Sequence, residues 1–357
     1  MYSETSSSIL NRMLGNVPSD VDKSEGSLIY DAISPTSQEL AQQEVRLDEI
    51  VDKFDIENLF GDELEQRIYQ RTGITRKLAT YAHTIVTVVG NGTITIGDLC
   101  QTPGGLRFKF TESLTVSGTD TLNVQAIVAG SSGIVPSGQI TQFPVAIPGI
   151  VSITNVSPTA DGFDAENDAS LRQRYYDRIQ TPPTQGNIAQ FTNLAKEYTG
   201  VGDVKIYPTW DGNNTVKLVI IDANKQPPSS DLVSLFQSYI DPSIQGLGLG
   251  AAPFGAFTTA AGATGKTINI SFTVVKDTNY TDAQRLTNVN NSLIAYFKTI
   301  AYKESAVSYA KIGAAILASA GVLDHSGLTV NTGIANISLS YTSSLTEVPV
   351  LGAVTIA

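Results

Sequence analysis

Cysteine, histidine and tryptophan are almost missing from this chain of 357 residues: one Cys (Cys100), two His (His83 and His325) and one Trp (Trp210). A single cysteine excludes an intrachain disulfide, and a large fold held without one fits a reducing compartment. Three Cys and His residues in all fall short of the four ligands of a structural zinc site. No G-x-S-x-G elbow is present for a serine hydrolase. Charged residues make up only 16%, below the usual share of about 25%. Basic residues are the scarcer kind, 23 against 34 acidic, for a net charge of −11. With no Lys/Arg cluster, the chain would repel a phosphate backbone, so no nucleic-acid partner is expected. Long apolar runs are absent too. The apolar stretch from Ile312 to Leu323 is too short to span a bilayer, and no membrane insertion is expected. The N-terminus has neither the basic region nor the apolar core of a secretory signal.

Hydrophobic residues, at 41%, are enough to build several cores, and the length calls for more than one domain. The first 80 residues read as helical. From Gln38 to Phe54, Leu40, Leu47, Ile50, Val51 and Phe54 recur at three- and four-residue spacing against a charged opposite face, an amphipathic helix. Thr36 and Glu39 have capping-box spacing, with Pro35 just outside. A second helix is expected over about 62–71, stopped by Gly73. The stripe covers a local core or joins a bundle with other chains; its length does not by itself make a coiled coil.

Alternation then replaces helical periodicity. Ile85–Val89 and Thr93–Ile96 flank Asn91-Gly92, which predicts a two-residue hairpin. Further short strands are expected at 107–110, 122–128 and 150–153, a small all-β domain. An acidic segment bearing Asp161, Asp164, Glu166 and Asp168 leads into a helix over about 169–179, with Asp168 as its cap. Its spacing is not that of an EF-hand, and no metal is expected there. After Pro182-Pro183 come a helix (187–198), strands (203–207 and 216–221) and a helix (231–240). Residues 242–265, uncharged and rich in Gly and Ala, read as a flexible loop. A strand (268–274), helices (282–300 and 307–320) and strands near 328–330 and 334–341 follow.

The string from Ala260 to Thr267 satisfies a relaxed phosphate-loop pattern ending in Gly265-Lys266-Thr267. A phosphate loop must leave a buried strand and open a helix, and here the following residues alternate as a strand. Gly246, Gly248 and Gly250 lack the spacing of a dinucleotide fingerprint. His325-Ser326 is expected in a turn, and Trp210 at a hairpin tip. No catalytic, cofactor-binding or metal-binding residue is expected.

Six segments in order resemble the baseplate J-like family of contractile tails: Glu25-Gly26-Ser27 leading into a long helix; Leu64 to Arg76; Val124 to Gly138; Gly162 to Arg174; Gly200 to Val204; and the tail from Gly321 through Glu347-Val348-Pro349-Val350-Leu351-Gly352. Asn167 stands where the family usually has Thr. The resemblance implies an α+β multidomain protein: a helical wedge-core region (1–80), a small β domain (81–156), an α+β middle domain (157–262) and a C-terminal α+β domain (263–357) for inter-wedge contacts. It implies a structural wedge subunit, not an enzyme, that surrounds the hub and passes on the rearrangement triggering sheath contraction. The implied partners are a second wedge protein, one copy to two of this chain, the hub and other baseplate proteins, and neighbouring wedges in a six-fold ring. Assembly in the host cytoplasm into a virion or tail-like particle follows, with Leu40, Leu47, Ile50, Val51 and Phe54 as the partner contact. The competing readings are a carbohydrate-binding or adhesive tail protein and a glycan-cleaving tail enzyme.

Overall fold

The computed structural model describes residues 3–180 and 186–356, which form two compact units. One holds the chain up to Arg76 together with Asn167–Tyr176; the other holds Lys77–Glu166 and the chain from Asp177 on. The expected Pro182-Pro183 break lies outside the described residues.

The first unit is helical. Helix α1 (Ser6–Gly15) is capped by Thr5, whose side chain accepts from the Ser8 N–H. Helix α2 (Leu28–Asp52) is capped by Ser27, which accepts from the Tyr30 N–H. The cap expected at Thr36 thus lies nine residues late, while the long helix that the resemblance puts after Ser27 does form, with Pro35 inside it. Proline there forfeits one backbone hydrogen bond and crowds the preceding turn. The cap at Ser27 and the apolar Ile29 and Ile33 carry the helix across it. Helix α1 packs along α2, burying Ile9 and Leu10. The residues ahead of α1 are tied to α2: Ser3 N–H donates to Asp48 Oδ2 at 3.1 Å and Glu4 N–H to Glu44 Oε2 at 2.5 Å. A one-turn 3-10 helix (Ile56–Asn58) leads to α3 (Gly61–Thr72), which ends at Gly73 in the left-handed region, φ 74°. A small core of Ile56, Leu59, Leu64, Ile68 and Ile74 is completed by Leu171 and Tyr175 of α4 (Asp168–Gln180).

The second unit begins with an antiparallel sheet of β1 (His83–Ile94), β2 (Leu99–Gln101), β3 (Arg107–Phe110), β4 (Leu114–Ala126) and β5 (Ile150–Asn155), in the order β2-β3-β4-β1-β5. The expected hairpin at Asn91-Gly92 does not form. Strand β1 runs straight through it, pairing Asn91 with Ser117 and Gly92 with Val116. The glycine serves close approach instead: a Cβ on Gly92 would lie 2.2 Å from the Pro148 carbonyl oxygen. Asn91 N–H donates to Gly149 O at 2.7 Å, and the β1–β5 register shifts at Val89/Gly90. The alternation is therefore read correctly and the turn is not. Val86, Val88, Phe108, Phe110, Leu122 and Val124 form the core.

Next come α5 (Ile188–Glu197), β6 (Val201–Pro208), β7 (Thr215–Asp222), α6 (Ser230–Ile240) and β8 (Phe257–Gly262). The sheet order is β6-β7-β8, with β8 parallel to β7. The loop expected over 242–265 thus contains a strand. The buried Asp241 accepts the Gly246 and Thr258 N–H groups, both at 3.2 Å, and pins the connection at its base. The last part comprises β9 (Thr264–Lys276), α7 (Asp282–Ile300), β10 (Ala306–Val307), α8 (Tyr309–Leu317), β11 (Val322–Val330), β12 (Ile337–Ser338) and β13 (Glu347–Ile356), with β9 central between β11 and β13. Helix α8 is shorter than the expected 307–320, because Val307 pairs with Ile337 and Ser308 caps the helix. The strand expected over 334–341 contracts to β12. His325 lies within β11, opposite Val274, and not in a turn. Among the described residues the chain is an α+β multidomain protein.

Candidate assembly surface

Hydrophobic side chains left half in water are the first sign of a missing neighbour. On α2, Leu40 is 44% exposed, Leu47 52%, Ile50 54% and Val51 46%; Phe54, just past the helix end, is 60% exposed. The side of α2 covered by α1 and the residues ahead of it bears Ser37, Glu44 and Asp48, and Leu47, Ile50 and Phe54 turn away from it. With the helix beginning at Leu28, the series gains Ile29 and Ile33, both half-buried. Ile33, Leu40, Leu47 and Phe54 now stand seven apart, with Ile29 and Ile50 at the intervening register and Thr36 and Gln43 as polar breaks. That is the seam spacing of a coiled coil. Helix α2 presents it over about 37 Å, at a rise of 1.5 Å per residue. Helical spacing from Gln38 shows only the C-terminal half of this seam; Ser27 followed by Ile29 and Ile33 is the signal for the rest. At the far end the Arg67 guanidinium lies 5.7 Å from the centroid of the Phe54 ring, and Arg71 Nη2 donates to the Phe54 carbonyl at 3.3 Å.

The acidic segment divides its carboxylates among separate structural tasks. In the second unit, Asp161 accepts from the Ser229 hydroxyl at 2.8 Å, and Ser229 in turn caps α6. Asp164 accepts the Ser131 N–H at 2.8 Å and the Ser131 hydroxyl at 2.7 Å. The backbone N–H, then the hydroxyl, hold its carboxyl below the usual range. Glu166 accepts from the Lys77 N–H at 3.2 Å. In the first unit, Asp168 does not cap α4 as expected. Asn167 does so, its Oδ1 accepting the Ser170 N–H at 2.8 Å. Asp168 instead accepts the Gly61 N–H, at the start of α3, and a hydrogen bond from Arg76. Both lower its pKa, the Gly61 N–H foremost. Among the described residues no group of three or more His, Cys, Asp or Glu gathers as metal ligands would.

The remaining sequence candidates are dispersed. Ala260–Thr267 runs from β8 directly into β9 with no helix following, and Lys266 Nζ pairs with Glu347 Oε1 at 3.1 Å. Gly246 and Gly248 adopt positive φ in a turn of the connection. His83 Nε2 lies 3.7 Å from both Asp161 and Asp231. His325 Nε2 donates to the Gly313 carbonyl at 3.0 Å beside a groove of about 400 Å³ lined by Tyr309, Gly313 and Leu317. A carbonyl only accepts, so this bond fixes the imidazole tautomer and leaves Nδ1 buried without a partner. Cys100 is buried, and desolvation pushes its thiol up to about 12, which makes it unreactive. The Trp210 ring carries Lys217 Nζ 4.8 Å from its centroid. Sequence reasoning passed over Arg285, almost fully buried, whose guanidinium donates to the Gly321, Asp277 and Tyr280 carbonyls at 2.7–3.0 Å. No helix among the described residues is long and apolar enough to cross a membrane.

The chain matches the Baseplate J-like protein barrel domain over residues 84–162, the Baseplate J-like central domain over 183–262 and the Baseplate J-like protein C-terminal domain over 268–357. It is 33% identical to the uncharacterized protein YqbT of Bacillus subtilis, across 99% of this chain and 97% of that one. It is 31% identical to the phage-like element PBSX protein XkdT of the same organism, over the same shares. Baseplate protein gp47 of Escherichia phage Mu is 29% identical over 55% of this chain and 57% of its own. A chain of the solved anti-feeding prophage baseplate overlays 95% of this chain and 89% of its own, at 12% identity and a TM-score of 0.38, a likeness too slight to build on. The protein therefore belongs to the Baseplate J-like family and is a phage-type baseplate structural protein.

Proposed function

We propose that this chain is a wedge subunit of a contractile-tail baseplate, one that surrounds the central hub and transmits the rearrangement that triggers sheath contraction. Its seam of Leu40, Leu47, Ile50, Val51 and Phe54 binds partner chains in a helical bundle, two copies of this chain to one of a second wedge protein. The C-terminal domain, 263–357, meets neighbouring wedges in a six-fold ring. Assembly takes place in the host cytoplasm, and the chain catalyses nothing.

The observation that carries this reading is the exposed seam on α2. Covering half-exposed apolar side chains of this size recovers on the order of 1 kcal/mol apiece, a standing drive toward association. The kinship with baseplate protein gp47 of phage Mu supports the setting. A structural role also agrees with how the reactive groups are spent: Lys266 on Glu347, Asp161 on Ser229, Asp164 on Ser131. A contraction trigger further requires interfaces with two packings of similar free energy.

The test is co-expression of the full chain with the other baseplate proteins of its own particle. Leu47→Asp combined with Val51→Asp places two charges in the seam. The expected result is a folded chain that no longer co-purifies with its partners. Normal co-purification would remove the seam from the assembly.

A further inference from the structure

Within the second unit, the barrel domain (84–162) and the central domain (183–262) meet at a joint that is mostly polar. Its apolar anchor is Phe163, buried in the central-domain core with Phe191, Leu232 and Phe236. Asp161 is held on the barrel side. Its carbonyl accepts from the Thr80 hydroxyl at 2.5 Å, and a Cβ on the next residue, Gly162, would lie 2.8 Å from the Ala82 Cβ. His83 is held on the same side by two backbone hydrogen bonds with Ala160, at 3.0 and 2.9 Å. Across the joint stands the N-terminus of α6, with its cap Ser229 and Asp231 in the first turn. The Asp161 carboxylate accepts from the Ser229 hydroxyl, and His83 Nε2 lies 3.7 Å from Asp161 Oδ2 and 3.7 Å from Asp231 Oδ2. One imidazole thus faces a carboxylate from each side.

The other charges around this cluster are few. Asp222, at the end of β7, lies within electrostatic reach of Asp161, of Lys225 and of Lys298 on α7. Asp164 also feels Lys298. Lys225 Nζ is spent on the Gly202 carbonyl. Among the described residues no Lys or Arg forms an ion pair with Asp161, Asp222 or Asp231. The α6 dipole is positive at this end, but its partial charge, about half of one, is set against two full carboxylates.

We infer that the joint is a proton-operated latch. His83 with its proton draws Asp161 and Asp231 together across it. Without the proton, the carboxylates of Asp161, Asp222 and Asp231 repel one another and α6 parts more readily from the barrel. Histidine is the side chain suited to change charge between about pH 5 and 8. Because the bridge exists only with the proton on, the latch is strongest on the acidic side of that range and weakens as pH rises. Asp222 acts in the same sense: burial raises its carboxyl to about 7, and its repulsion of Asp161 grows as pH climbs through that value. The bridge is partly in water, with Asp231 71% exposed, so its effect is modest. The latch does not depend on the α2 seam.

The experiment is hydrogen exchange of the full chain at about pH 5.5 and about pH 8, read by mass spectrometry and corrected for the intrinsic pH dependence of amide exchange. It compares the wild type with His83→Gln and Asp231→Asn, each checked for folding by circular dichroism. At the acidic pH, protection of residues 230–235 is expected to be about three- to tenfold greater in the wild type than in His83→Gln, and at the alkaline pH the two agree within about twofold. Asp231→Asn keeps the imidazole and also loses protection at the acidic pH, but not at the alkaline one. Helix α3, in the other unit, is unchanged by either substitution. The same ratio of wild type to His83→Gln at both pH values would mean that the imidazole acts by packing alone. No difference at the acidic pH would mean that it bridges nothing, and an equal loss in α3 would mean a general loss of stability. Each of these results overturns the inference. Should His83→Gln fail to fold, Asp231→Asn decides by the same comparison.

Discussion

Arg76 Nη2 and Asp168 Oδ1, 92 positions apart in sequence, meet at 2.6 Å. The other oxygen of the same carboxylate accepts the Gly61 N–H at 3.0 Å, where α3 begins without a side-chain cap of its own. One side chain of the acidic segment thus caps a helix far away in the sequence. Asp168→Ala is expected to destabilise the first unit by about 1 kcal/mol, the usual value of a cap. Its hydrogen bonds hold the folded pKa below the ordinary value of 3.8. The stabilisation is present above that ordinary value and is lost as pH falls through the folded one. The unfolding free energies of the two proteins should therefore converge on acidification; a difference that persists at the lowest pH would contradict the assignment.

Asp222 has the opposite sign. Burial raises its carboxyl to about 7, partly offset by the Gln226 N–H that it accepts at 2.7 Å. A raised folded pKa contributes stability below the ordinary value of 3.8 that is lost as pH climbs through about 7. Asp222→Asn keeps the acceptor and removes the charge. Its gain in thermal midpoint should grow as pH is raised from 4 toward 7 and level off above. A gain independent of pH would show that the carboxylate is not desolvated.

Gly92→Ala distinguishes a continuous β1 from a hairpin. The added Cβ meets a backbone carbonyl at 2.2 Å, which cannot swing away as a side chain would. The expected loss is about 2–4 kcal/mol, read by denaturant unfolding. A near-neutral substitution would mean that residues 147–150 do not press on β1.

Much of the fold was legible in the sequence because periodicity reports burial. Arg107–Phe110, Asp282–Ile300 and the stop at Gly73 lie where the pattern puts them. The errors fall where one residue type serves two purposes. Glycine in Asn91-Gly92 supplies room for another strand and not a turn. Pro35 has the look of a boundary, although capping at Ser27 overrides it. Residues 257–262 carry no hydrophobic alternation, because β8 is fixed by parallel pairing with β7 rather than by its side chains. The five seam residues were visible as a stripe; that they face solvent depends on α1 covering another side of α2, a contact that sequence spacing does not encode. The fates of Asp161, Asp164, Glu166 and Asp168 were equally hidden, since each depends on a partner distant in the chain.

The central claim is that the α2 seam joins this protein to the rest of a baseplate. Its most direct measurement is the amount of partner protein recovered with tagged wild-type chain and with the Leu47→Asp, Val51→Asp variant, both checked for folding by circular dichroism. The account predicts partner recovery with the wild type and its loss with the folded variant. Equal recovery would contradict it.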